Sequence, residues 1–187
     1  HQGFLFGAAN PFFVATGGAG TMSARLRDGA GAGTFVTVFE FYAPSLDHYF
    51  RTANVEEANA LKNNPALGWQ ATGGDFMAYA RNDHPGTAQP VCRFYGSLSP
   101  GPNSHFYTAD AAECEGVRRN PDWQFEKIAF HVPVPDATGT CAPGTDPVYR
   151  MYNEGQTGAP NHRFTTDLAT RQDFVANRGY VQEGSGP

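Results

Sequence analysis

Charge is scarce in this sequence. Asp, Glu, Lys and Arg make up 17% of the chain, and acidic residues outnumber basic ones by 18 to 13. The net charge of −5 excludes a general nucleic-acid binder, which needs a basic face to neutralise phosphates. Long apolar runs are missing too: no stretch approaches the roughly 20 residues that span a bilayer as a helix, so no membrane span is expected. The opening His1-Gln2-Gly3-Phe4-Leu5-Phe6-Gly7 lacks the basic start of a signal peptide, and the chain reads as mature or as cut from something longer.

Catalytic signatures are equally thin. There is no G-x-S-x-G elbow, no H-E-x-x-H and no Gly-rich phosphate loop before a helix. Ser104-His105 adjacency supplies no dyad, because neighbours on a strand point to opposite faces. The chain is therefore read as a non-enzyme with no catalytic residue and no cofactor. One remote alternative is a copper-dependent polysaccharide oxidase, in which the amine and imidazole of an N-terminal His1 would chelate the metal. The cysteines are only Cys92, Cys114 and Cys141, without C-x-x-C spacing, which gives no sign of a zinc site.

What is present is an internal repeat. Ser104-His105-Phe106-Tyr107-Thr108-Ala109 has an imperfect copy upstream, Asp47-His48-Tyr49-Phe50-Arg51-Thr52, and another downstream, Asn161-His162-Arg163-Phe164-Thr165-Thr166. The histidine intervals are equal, 105 − 48 = 57 and 162 − 105 = 57. Each hexapeptide follows a β-prone run: Val38-Phe39-Glu40-Phe41-Tyr42, Val91-Cys92-Arg93-Phe94-Tyr95 and Val148-Tyr149-Arg150-Met151-Tyr152. Each precedes a helix-like stretch and an aromatic residue that restarts an extended segment, Trp69, Trp123 or Tyr180. Thr52-Ala53-Asn54-Val55-Glu56 has the look of a capping box, Asp110 and Asp167 are placed to cap the second and third helices, with Glu113 completing a box, and Asn-Pro pairs end the first two.

The expected fold is α+β and mainly β: three β-β-α-β repeats in pseudo-threefold arrangement with an N-terminal strand pair. Residues 1–33 form the Gly-rich pair and linker, with Phe12-Phe13-Val14-Ala15 and Thr21-Met22-Ser23-Ala24-Arg25-Leu26 as its strands. Residues 34–187 form the triplicated domain, with repeats at about 34–80, 90–135 and 147–187. The first two repeats continue to Phe76 or Phe130, so the third looks short of its closing strand. Cys92, in a first strand, and Cys114, in the helix packed on it, are expected to pair, which points to an oxidising compartment. Cys141 is then odd, with a partner expected beyond Pro187.

The combined pattern resembles the secreted HFYT-type repeats of bacteria and fungi, a repeat of unknown function. The resemblance rests on Val91-Cys92-Arg93-Phe94-Tyr95-Gly96, Pro102 to Ala109, Glu113-Cys114, Pro147-Val148-Tyr149-Arg150 and Asn161 to Asp167. It implies an exported, triplicated domain and supplies no activity. Glu40 departs from it, standing where the other repeats have Arg93 and Arg150.

Two readings of the repeated residues stand side by side. In one, Arg93, His105 and Glu113 form a buried cluster within one unit, and the motif is architectural. In the other, each repeat carries a ligand pocket, built from His105, Tyr95 and Asn103, from His162, Tyr152 and Asn161, and from His48 and Tyr42. Aromatic faces and loop polar groups suit sugar rings, and repetition adds avidity on a polymer. The expected function is a secreted binding or attachment module for cell-surface or extracellular polysaccharide or a cell-wall polymer. The competing expectation is a structural subunit that pairs with other copies of itself, or with a larger parent protein, by strand addition.

Overall fold

The computed structural model describes residues 12–15, 33–97, 101–156 and 160–184. The expected second N-terminal strand, Thr21 to Leu26, and His1 lie outside the described residues.

Unit one contains strands β2 (Phe35–Ala43) and β3 (His48–Thr52), helix α1 (Val55–Asn63) and strands β4 (Gln70–Ala71) and β5 (Phe76–Tyr79). Unit two contains β6 (Gln89–Gly96), β7 (His105–Thr108), α2 (Ala111–Arg118) and β8 (Trp123–Val132). Unit three contains β9 (Thr145–Tyr152), β10 (His162–Thr165), α3 (Leu168–Asn177) and β11 (Val181–Glu183). The chain is mainly β, with two antiparallel sheets and three helices among the described residues.

Local chemistry sets these boundaries three times over. Asn54, Asp110 and Asp167 each accept a hydrogen bond from an amide of the first helical turn, meeting donors that the helix cannot satisfy itself. The backbone N–H of each cap donates in turn to a threonine hydroxyl two residues earlier, Thr52, Thr108 or Thr165. Glu113 caps only through its amide; its carboxylate reaches Arg150 instead of closing the capping box.

In every unit the first strand is central, flanked by the hexapeptide strand and by the strand after the helix. The register corrects the simple alignment of histidines. Tyr95 lies opposite His105 and Tyr152 opposite His162, but Tyr42 lies opposite Tyr49, and His48 opposite Ala43. Unit one has one more residue between His48 and its cap Asn54 than units two and three have between histidine and aspartate. Tyr49 thus holds the place of His105 and His162, and His48 that of Ser104 and Asn161.

Strand β1 (Phe12–Ala15) completes unit three. It pairs antiparallel with β9, Phe12 opposite Val148, as Phe76 of β5 lies opposite Val38. The missing closing strand therefore comes from the beginning of the chain. Val38, Val91 and Val148 are all 0% exposed and share one core cluster with Phe76, Phe130, Tyr107 and Phe164. Burying each such side chain contributes about 1.5–3 kcal/mol. Disulfide Cys92–Cys114 ties β6 to α2, and Cys141 is free.

Candidate functional site

The arginines of the first strands each bridge two units. Arg93 donates through Nη1 and Nη2 to Glu57 of unit one's helix, at 2.9 and 3.2 Å, and through Nε to Glu126 at 2.7 Å. Arg150 donates in the same fork to Glu113 of unit two's helix, again at 2.9 and 3.2 Å, and its Nε lies 3.0 Å from Glu183. The expected cluster of Arg93, His105 and Glu113 is replaced by a staggered one, in which each helix glutamate, Glu57 or Glu113, reaches the next unit.

The staggering extends to the rings. Phe50 packs edge-on against His105, with centroids 4.7 Å apart, and Phe106 against His162, at 5.0 Å. Trp69 meets Phe50 and Trp123 meets Phe106, both at 5.9 Å. Arg93 lies over the Phe50 ring and Arg150 over the Phe106 ring. The junctions between units one and two and between units two and three therefore carry the same constellation.

The junction from unit three back to unit one transposes its charges. Arg163 occupies the place of Phe50 and Phe106, and lies 4.6 Å from the Tyr49 ring and 4.4 Å from Phe174. Its guanidinium reaches fully buried Glu40 at 3.4 Å, and Arg51 forms a second ion pair with that carboxylate. Glu40, unlike Arg93 and Arg150, is thus the anion of its junction. A buried carboxylate without such partners is strongly disfavoured.

The first constellation is the more open of the two. A cavity of about 320 Å³ has Phe50, Trp69, Ala60 and Leu61 as apolar walls, and Arg93, Glu57, Glu126 and His105 as its polar lining. At the second junction His162 is 2% exposed and Glu113 8%. At the first, the corresponding values for His105 and Glu57 are 17% and 30%. Burial pushes the His105 imidazole down to about 3, helped by the Arg93 charge, so it is neutral at ordinary pH. Glu57 is held at about 2 by hydrogen bonds from Arg93, Lys127 and Thr52, which outweigh its partial burial.

Of the residues expected to bind ligand, His105 alone lines this cavity. The Tyr95 hydroxyl donates to Asn103 at 2.8 Å, as Tyr42 does to Asp47, and both acceptors have φ of 53°. Asn161 donates through Nδ2 to the Tyr180 hydroxyl and to the backbone oxygen of Asp47. Tyr152 stacks on buried His162, whose Nε2 lies 3.1 Å from Glu183, and His48 is buried at 4% exposure. These groups hold loops and junctions together.

Sequence reasoning missed Trp69, Phe50, Glu57 and Glu126 as lining residues. Their signal was available: Glu57 and Glu113 both fall at the third helical position, and Trp69 and Trp123 both restart a strand. What a single repeat does not reveal is that the pocket lies between units. Among the described residues no group of three or more His, Cys, Asp and Glu side chains is placed to hold a metal ion, and no helix is long and apolar enough to cross a membrane.

Fold and site together define a disulfide-bonded, mainly β domain of interlocked units with an open aromatic and charged cavity. The chain belongs to a family described as Domain of unknown function (DUF5648), whose model matches residues 37–186. No curated protein and no solved structure matches it.

Proposed function

We propose that this chain is a non-catalytic extracellular binding module for cell-surface or extracellular polysaccharide, and that its three units form a pseudo-threefold ring. The ring reading is supported by contacts that run in one cyclic direction. Phe50 meets His105, Phe106 meets His162, and Arg163 meets Tyr49. The binding reading rests on one observation: the cavity of about 320 Å³ combines Trp69 and Phe50 with a fixed, hydrogen-bonding lining. Sugar rings offer an apolar C–H face and many hydroxyls, and such a cavity meets both. Export is supported by the Cys92–Cys114 bridge, since disulfides persist in oxidising compartments.

The test is retention of the purified chain on insoluble cell-wall and polysaccharide preparations, beside Trp69→Ala and Leu61→Asp variants whose folding is checked by circular dichroism. Retention of the wild type and its loss in folded variants support the reading. Retention on no polymer, or equal retention of both variants, overturns it.

A further inference from the structure

We propose that the cavity selects an uncharged pyranosyl residue, with Trp69 covering its C–H face and Glu126 accepting a ring hydroxyl. This inference rests on the carbohydrate-binding reading and narrows it to one class of sugar.

Charge balance is the first argument. The cavity's two carboxylates, Glu57 and Glu126, are matched by two cations, Arg93 and Lys127, each already in an ion pair. His105 adds none while it is neutral. A uronate or sulfate would have to displace a resident carboxylate from Arg93. A polycation would meet carboxylates whose charge is already compensated.

Hydrogen-bond capacity is the second. Glu57 accepts from Lys127 and Arg93 Nη2 at Oε1, and from Arg93 Nη1 and Thr52 Oγ1 at Oε2. Four donors fill a carboxylate. Glu126 is different: its Oε2 takes Arg93 Nε at 2.7 Å and faces His105 Nε2 at 3.6 Å, and among the described residues no donor reaches its Oε1. The open oxygen calls for a hydroxyl donor rather than another acceptor. The neutral imidazole of His105 offers one donor and one acceptor beside it, a combination that hydroxyls satisfy and a carboxylate does not.

Shape is the third. Trp69 is half-buried and Phe50 buried, and both line the cavity, so indole surface is available to a ligand. The second junction repeats these residue types with Trp123, Phe106, His162 and Glu183, but there His162 is 2% and Glu113 8% exposed, against 17% and 30% for His105 and Glu57 at the first. The chain thus has a closed counterpart of its own open site, and a ligand is expected at the first junction alone.

The experiment is a titration of the isotope-labelled chain, followed by nuclear magnetic resonance of the two indole N–H signals. The probes are neutral oligosaccharides (gluco-, manno- and N-acetylglucosamine series), oligogalacturonate and oligoglucosamine. The expected result is saturable movement of the Trp69 signal and not of Trp123 with at least one neutral series, weakened about tenfold by Glu126→Gln. Tighter binding of oligogalacturonate or oligoglucosamine, or unchanged neutral-sugar affinity in Glu126→Gln, overturns this inference and leaves the carbohydrate reading standing. If Glu126→Gln does not fold, loss of neutral-sugar binding in Trp69→Phe, read by isothermal titration calorimetry, decides in its place, and unchanged binding there overturns the inference. Binding of no probe takes down both.

Discussion

Glu57 holds the guanidinium of Arg93 by two oxygens, although the two residues lie 36 positions apart and in different units. Glu113 and Arg150 repeat the pair with less solvent, so the two junctions form a natural comparison. Removing one partner of a buried pair leaves an uncompensated charge, at a cost of about 3–5 kcal/mol, whereas replacing both by apolar residues is often neutral. Glu113→Gln is therefore expected to destabilise more than Glu57→Gln. The double change Glu113→Leu with Arg150→Met should recover most of the loss. Urea denaturation measures all of these, and equal losses at the two junctions would contradict the staggered-pair account.

Acid should act on the chain in two stages. The β5 and β8 strands are joined through one residue pair, Tyr79 opposite His131, and the His84 ring stacks on His131 at 3.6 Å. Burial, and then the charges of His84 and Arg81, push His131 down to about 4. The unfolded chain takes up that proton near pH 6.5, so this part of the stability is complete above about 6.5 and is lost as pH falls towards 4. Glu57, held at about 2, behaves as a depressed carboxylate: its share is present above about 4.5 and lost below it. His105, also pushed down by burial to about 3, and buried His48 and His162, likewise lowered, lose stability over the same range, so His131→Gln should shrink the first stage and leave the second. The pH dependence of the urea midpoint is the measurement, and a first stage undiminished in His131→Gln would place its origin in the other histidines.

The order of elements was legible in the sequence because caps and strand restarts are local signals. Asp110 and Asp167 open helices where expected, Asn54 caps the first from within the Thr52–Glu56 stretch, and Trp123 opens a strand. Partners were not legible, because partner choice is a property of packing. The equal spacing of His48, His105 and His162 concealed a one-residue shift in unit one, which the ladder between Tyr42 and Tyr49 exposes. Glu40 looked like a defect in the pattern. Its compensation, Arg163, is 123 residues away and occupies a position that is aromatic in the other units.

The disulfide should matter more to unit two than to the chain's chemistry. Cys92 and Cys114 are 22 residues apart, and closing a loop of that size stabilises by about 3 kcal/mol in the chain-entropy account. Cys114→Ser, or reduction, is expected to lower the thermal midpoint by roughly 5–10 °C while leaving the α1-side cavity formed. Differential scanning fluorimetry with and without reductant checks the first point, and the Trp69 resonance checks the second. No change on reduction would mean that helix α2 is held by Val117 and the Glu113–Arg150 pair alone.

Strand β1 offers the last test, because it links the fold to the competing idea of assembly. It closes unit three along Thr145 to Val148 of β9, the place that each other unit fills from its own continuation. An exposed strand edge is a template for pairing with another chain. A chain lacking residues 1–15 is therefore expected to lose thermal stability and to associate as its concentration rises. A peptide covering residues 10–16 should restore both the monomer and the stability, read by light scattering and by the thermal midpoint. A truncated chain that stays monomeric and equally stable would show that β1 is dispensable to unit three. Restoration by the peptide would show instead that the edge accepts a strand in trans, the same exchange by which one copy of this chain could close the next.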